Sequence, residues 1–127
     1  MSINVLIVED EVIVAWDLKE RLELIGYKVI NTVRSGEEAL EIMKKSRIDL
    51  IFMDIRLQGS IDGIDTAKQI KNNFKIPILY ISANSDLITI NEIKQTQPYQ
   101  YLKKPFNDDQ LQKAVNNCKL MINLNKI

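Results

Sequence analysis

Ile3-Asn4-Val5-Leu6-Ile7-Val8-Glu9-Asp10-Glu11 opens with a short apolar run that three acids cut off. A run of this length, rich in Ile, Val and Leu, predicts a strand buried on both faces, as in parallel sheets covered by helices. Working outward, similar runs follow at Lys28–Val33, Asp49–Met53, Ile76–Ile81 and Tyr99–Leu102. Helical spacing fills the gaps between them. Val14, Leu18, Leu22 and Ile25 make one apolar face, with Gly26 placed to cap its end. Ser35 and Glu38 resemble a capping box for a second helix through Lys45. A third helix is predicted over Asp62–Asn72 and a fourth from Ser85 or Asp86 to about Gln95. Asn107 caps the last, whose inner face is Leu111, Ala114, Val115 and either Cys118 or Leu120.

Five βα units predict an α/β fold: a doubly wound, five-stranded parallel sheet with helices on both faces. Right-handed crossovers and one reversal of winding favour the strand order 2-1-3-4-5. In such sheets ligands sit beyond the carboxyl ends of the strands, at the reversal between strands 1 and 3. That rim would receive Glu9-Asp10-Glu11, Asp54, Ser82 and Lys103-Lys104-Pro105.

Composition narrows the chemistry. The 127 residues suit a single domain over residues 1–127, with no effector domain expected in this chain. Seventeen Lys and Arg balance 17 Asp and Glu, so nothing draws the chain to nucleic acid or an anionic membrane. There is no His, which removes the usual acid–base group near neutral pH and the commonest metal ligand. Cys118 is the only Cys, so the chain cannot form an internal disulfide or supply a thiolate zinc site. No apolar run approaches the ~20 residues of a membrane helix, nor does the first run read as a signal peptide, so a cytoplasmic location is expected.

Carboxylates, a hydroxyl and an ammonium therefore carry whatever the rim does. An oxygen-only cluster suits Mg²⁺, and a carboxylate can itself accept a phosphoryl group. Taken singly, these residues have plainer readings. Asp10 and Glu11 could cap the first helix, Asp54 could be a turn residue, and Tyr101 could be ordinary strand packing. Lys103 reads as a solvated neighbour and Cys118 as a small buried hydrophobe. Trp16 falls opposite the first helix's apolar stripe.

Four blocks in register outweigh the single-residue readings. Val5-Leu-Ile-Val-Glu-Asp-Glu11, Asp49-Leu-Ile-Phe-Met-Asp54, Pro77-Ile-Leu-Tyr-Ile-Ser-Ala83 and Tyr101-Leu-Lys-Lys-Pro-Phe106 resemble those of two-component response regulator receiver domains, including the chemotaxis receivers. The likeness covers nearly the whole chain and implies a flavodoxin-like three-layer sandwich. It implies that Asp54 accepts a phosphoryl group from a histidine kinase or a histidine phosphotransfer protein. Glu9, Asp10, Asp54 and the Arg56 backbone carbonyl would hold Mg²⁺. Ser82 and Lys104 would contact phosphoryl oxygens, and the Lys104-Pro105 bond would be cis. Ser82 and Tyr101 would act as the switch that reshapes a surface of the fourth helix, fifth strand and fifth helix. That surface would meet an unknown downstream protein or a second copy of the chain, with no direct nucleic-acid or membrane partner.

One departure concerns the loop after Asp54. Leu57-Gln58-Gly59-Ser60-Ile61 precedes Asp62-Gly63, without the family's usual Pro and with one residue more, which predicts a longer, more flexible loop. Arg56 and Asn84 stand where the family tunes dephosphorylation. Three other functions compete. A haloacid-dehalogenase-like phosphatase would need a second Asp where Arg56 stands. An FMN carrier would need a phosphate loop where Glu9-Asp10-Glu11 would repel it. A phosphorylation-independent interaction module is opposed by the presence of Asp10, Asp54, Ser82 and Lys104 together. Receiver function, with self-phosphorylation and self-dephosphorylation as its only catalysis, is the reading that remains.

Overall fold

The computed structural model describes residues 2–83 and 91–125. Its strands are β1 (Asn4–Val8), β2 (Lys28–Val33), β3 (Leu50–Asp54), β4 (Ile78–Ser82) and β5 (Tyr99–Lys103). Helices α1 (Val12–Leu24), α2 (Gly36–Lys45) and α3 (Gly63–Lys71) follow the first three strands, and a C-terminal helix spans Asp108–Asn125. All pairings are parallel and the strand order is β2-β1-β3-β4-β5, as predicted. The expected helix start at Ser85 or Asp86, and Asn84 before it, lie outside the described residues.

Burial explains the order. Every residue of β3 and β4 is buried, as are Val5 to Val8 of β1, whereas β2 and β5 are largely half-exposed. Alternate side chains enter two cores. Leu6, Val8, Ile51, Met53, Ile78 and Tyr80 pack with α2 and α3 on one face. Val5, Ile7, Leu50, Phe52, Leu79 and Ile81 pack with α1 and the C-terminal helix on the other.

The caps follow the sequence closely. Glu38 N–H donates to Ser35 Oγ at 3.2 Å, and Asp65 N–H donates to Asp62 Oδ1 at 2.8 Å. Asn107 and Gln110 exchange backbone-to-side-chain bonds of 2.9 and 2.8 Å. Each such cap stabilises its helix by about 1 kcal/mol. Gly26 has φ +96° just after α1, the left-handed geometry that ends helices with glycine.

Three expectations need correction or refinement. Ile25 is not on the inner face of α1: the helix ends at Leu24, and Ile25 turns out to 41% exposure while Ala15, Leu18 and Leu22 carry the buried stripe. On the C-terminal helix Cys118 is buried and Leu120 is exposed, which decides between them. The long loop after β3 is fastened to α2, since Ser60 Oγ donates to Glu37 Oε1 at 2.7 Å and Gly59 takes up the turn at φ +118°. That bond also holds the Glu37 carboxyl below its ordinary range. Trp16 is exposed, as its place on the helix predicts.

The core contains one polar chain that the periodicity does not announce. Tyr80 is fully buried; its hydroxyl bonds Thr96 Oγ1, which in turn donates to the Ile93 carbonyl. The Tyr80 ring meets Tyr99 edge-on at 6.2 Å. Tyr80→Phe is expected to cost about 1 kcal/mol, the net worth of one buried hydrogen bond. An unchanged urea midpoint would show that the hydroxyl pair contributes nothing.

Candidate functional site

Strand ends assemble the site. β1, β3 and β4 lie side by side in the sheet, so Glu9, Asp54 and Ser82 emerge together at its carboxyl rim. Backbone bonds fix the rim: Glu9 N–H to Val33 O, Ile55 N–H to Ile81 O, and Lys104 N–H to Ser82 O at 2.9 Å. The last of these places Lys104 beside β4, and its peptide bond to Pro105 is cis, as the sequence resemblance implied. A second cis bond, Gln97-Pro98, has no counterpart among the sequence expectations.

Ligand oxygens of Glu9, Asp10 and Asp54 lie within 4.8 Å of one another. Lys104 Nζ donates to Glu9 Oε1 at 3.0 Å and stands 3.7 Å from Asp54 Oδ2. Asp54 Oδ1 accepts the Arg56 N–H at 3.0 Å, which brings the Arg56 backbone against the cluster. Ser82 is buried at the end of β4, and Lys103 beside it is exposed. Tyr101 lies one step deeper: it pairs with Tyr80 in register and is half-buried on the α2–α3 face. Glu11 occupies the N-cap of α1 but makes no side-chain cap bond, so the plain capping reading does not describe it.

Electrostatics mark the cluster as incomplete. Burial, with the Asp54 carboxylate beside it, pushes the Glu9 carboxyl up to about 8, against the pull of Lys104. Burial draws Lys104 down, but Glu9, Asp54 and Glu11 outweigh it and hold the ammonium above its ordinary value. Among the described residues, Glu9 Oε2 is the buried side-chain oxygen without a hydrogen-bond partner. A buried anion with an unmet lone pair needs either a proton or a cation. Carboxylate oxygens in this arrangement suit Mg²⁺, a hard cation that takes few protein ligands and keeps several waters.

The response regulator receiver domain family matches residues 5–116 of this sequence. The chain belongs to that family. As a receiver domain it is 33% identical over 112 residues to the transcriptional regulatory protein PdtaR of Mycobacterium tuberculosis, a match covering 88% of this chain and 54% of PdtaR. The chain thus spans about half the length of that curated relative. Among solved structures, the signal receiver domain of a modulated diguanylate cyclase from Desulfovibrio desulfuricans G20 superposes with a TM-score of 0.90 at 33% identity. That match covers 98% of this chain and 99% of the other. The Vibrio cholerae chemotaxis protein CheY4 superposes with a TM-score of 0.84 at 27% identity over 93% and 99% of the two chains. No helix among the described residues of this receiver domain is long and apolar enough to cross a membrane.

Sequence reasoning missed one residue that touches this region. Arg21 of α1 reaches the loop after β5, and helical spacing places it merely beside the apolar stripe. Besides Asp17 on its own helix, its partners lie 85 and 87 positions away, beyond any local pattern.

Proposed function

We propose that this receiver domain accepts a phosphoryl group on Asp54 from a histidine kinase or a histidine phosphotransfer protein, and that the phosphorylated form presents an altered surface. The observation that carries the reading is the Lys104 ammonium held between Glu9 and Asp54 at the point where the sheet reverses. An Asp54 carboxylate oxygen forms the new O–P bond while the donor's P–N bond breaks, and the imidazole nitrogen keeps the electron pair and takes a proton from solvent. Lys104 would pair with one phosphoryl oxygen and the Ser82 hydroxyl would donate to another. Glu9, Asp10, Asp54 and the Arg56 carbonyl would hold Mg²⁺, which supplies positive charge to the transferring group. Arg56 stands where a hydrolase of the alternative type would need its acid, so no turnover on a separate substrate is assigned.

Downstream, Ser82 would move toward the phosphoryl group and Tyr101 would turn inward, a population shift between two surfaces. That surface would bind a partner protein or a second copy of the chain. A cytoplasmic location forms part of this reading. Intact mass after incubation with Mg²⁺ and a small-molecule phosphodonor tests it: one added phosphoryl group, lost when Mg²⁺ is chelated, is the expected result. No addition would favour a phosphorylation-independent module.

A pH dependence follows from Glu9. Its folded value of about 8 lies above the ordinary 4.5, so in the metal-free protein its contribution to stability is full below 4.5 and fades as pH rises through 8. Binding the cation must release that proton. Apparent Mg²⁺ affinity is therefore expected to climb by up to about tenfold per pH unit toward pH 8 and level off above it. Titrations from about pH 6 to about pH 9 that showed a flat affinity would remove the Glu9 proton from the account.

A further inference from the structure

Arg21 lies well along α1 with its side chain 21% exposed. Its guanidinium has three oxygen partners and one aromatic one. Nε donates to Asp108 Oδ1 at 2.9 Å, one terminal nitrogen to the Phe106 carbonyl at 3.2 Å, and the other to Asp17 Oδ2 at 3.5 Å. The guanidinium also lies over the Phe106 ring, 4.9 Å from its centre. A guanidinium supplies this fork of donors and stacking face together, whereas an ammonium cannot serve both.

The placement matters more than the count. α1 is the element that follows Glu9-Asp10-Glu11, and the Phe106 loop is the element that carries Lys104. The segment from Lys104 to Phe106 is fixed at its start by the Lys104 N–H bond to Ser82 O and at its end by the Arg21 bond to Phe106 O. Asp108, in the first turn of the C-terminal helix, takes the shortest of the Arg21 bonds, so the helix start is fastened as well. Arg21 therefore ties α1, the helix that follows the acidic run, to the segment that carries Lys104.

We infer that Arg21 is a positioning residue for phosphoryl acceptance: by clamping α1 to the Phe106 loop and the C-terminal helix, it holds Lys104 where its ammonium meets the Asp54 site. This inference rests on the proposed acceptor role of Asp54. Misplacing a charged group by about an ångström can lower a rate by up to about a hundredfold, which sets the scale of the expected effect.

The test measures the rate of phosphorylation at saturating acetyl phosphate in Mg²⁺, by intact mass, on a double-mutant cycle. Arg21→Met keeps the aliphatic stem and removes the donors; it is expected to slow acceptance about tenfold. Mg²⁺ affinity should stay within about twofold of wild type, since the oxygens that Arg21 contacts belong to Asp17, Phe106 and Asp108 and not to the metal cluster. In a Lys104→Ala background, adding Arg21→Met should change the rate by less than about twofold, because the group it positions is gone. Arg21→Lys, the variant for use if the Met form folds poorly, should fall between wild type and Arg21→Met. A wild-type rate in Arg21→Met would overturn the inference alone. So would an equal loss with and without Lys104, which marks a general structural role. Absence of phosphorylation on the wild-type protein would overturn the Asp54 reading and this inference with it.

Discussion

Asp54→Asn is expected to abolish phosphoryl acceptance while leaving the protein folded. The amide matches the carboxylate in shape but is neither an anion nor a competent nucleophile, so the mass gained from a phosphodonor should fall to background. Mg²⁺ binding should weaken by at least about tenfold, because the cluster loses one of its three carboxylates. Stability should move the other way. Asp54 is one of the causes that raise Glu9, and Glu9 Oε2 lacks a donor; the amide introduced by the substitution would remove the repulsion and supply the missing N–H. Without Mg²⁺ and above about pH 8, where Glu9 is ionised, the variant should therefore melt at the wild-type temperature or a few degrees above it, by roughly the worth of one charge-assisted bond. Added mass that persists in Asp54→Asn would mean that the acceptor is a residue other than Asp54. A large loss of melting temperature would mean that the cluster is satisfied in a way the geometry does not show.

The parts legible in the sequence are those governed by local periodicity and by topology. Almost wholly apolar runs at β1, β3 and β4 reveal which strands lie inside, and the mixed character of β2 fits an edge. Strand order then brings Glu9, Asp54, Ser82 and Lys104 to one rim without any contact being known. Contacts set by how helices dock are not legible. The Lys104–Glu9 pair joins residues 95 positions apart, and the Tyr80–Thr96 bond depends on where the turn at Lys94–Thr96 settles against the sheet. Ile25 leaves the predicted face because periodicity continues past the end of a helix, whereas the backbone does not. Length alone makes the loop after Asp54 look loose, and the Ser60–Glu37 bond that fastens it involves a residue of ordinary appearance.

Gly63→Ala is expected to be the most damaging single-methyl change at the site. A Cβ at Gly63 would overlap the Asp54 carbonyl oxygen and lie 2.9 Å from both the Asp54 carbonyl carbon and Ile55 Cα. All three are backbone atoms, so no side chain can swing aside. Nor can the helix simply withdraw, since the Gly63 N–H donates to Ile55 O at 3.0 Å and Asp62 caps the same turn. The strain must displace either the start of α3 or the end of β3. A cost of about 3 kcal/mol is expected, a loss of roughly 10 °C in melting temperature. Because the displaced atoms include the Asp54 backbone, the folded fraction should also accept phosphoryl groups at least about tenfold more slowly. Gly26→Ala makes a discriminating control. Gly26 is required for its positive φ and has open space where a Cβ would go, and it lies between α1 and β2 at the opposite rim. Its substitution should cost about 1–2 kcal/mol with the acceptance rate unchanged. Equal melting temperatures and equal rates for Gly63→Ala and wild type would show that α3 can shift without moving Asp54, and the contact would lose its role in placing the acceptor.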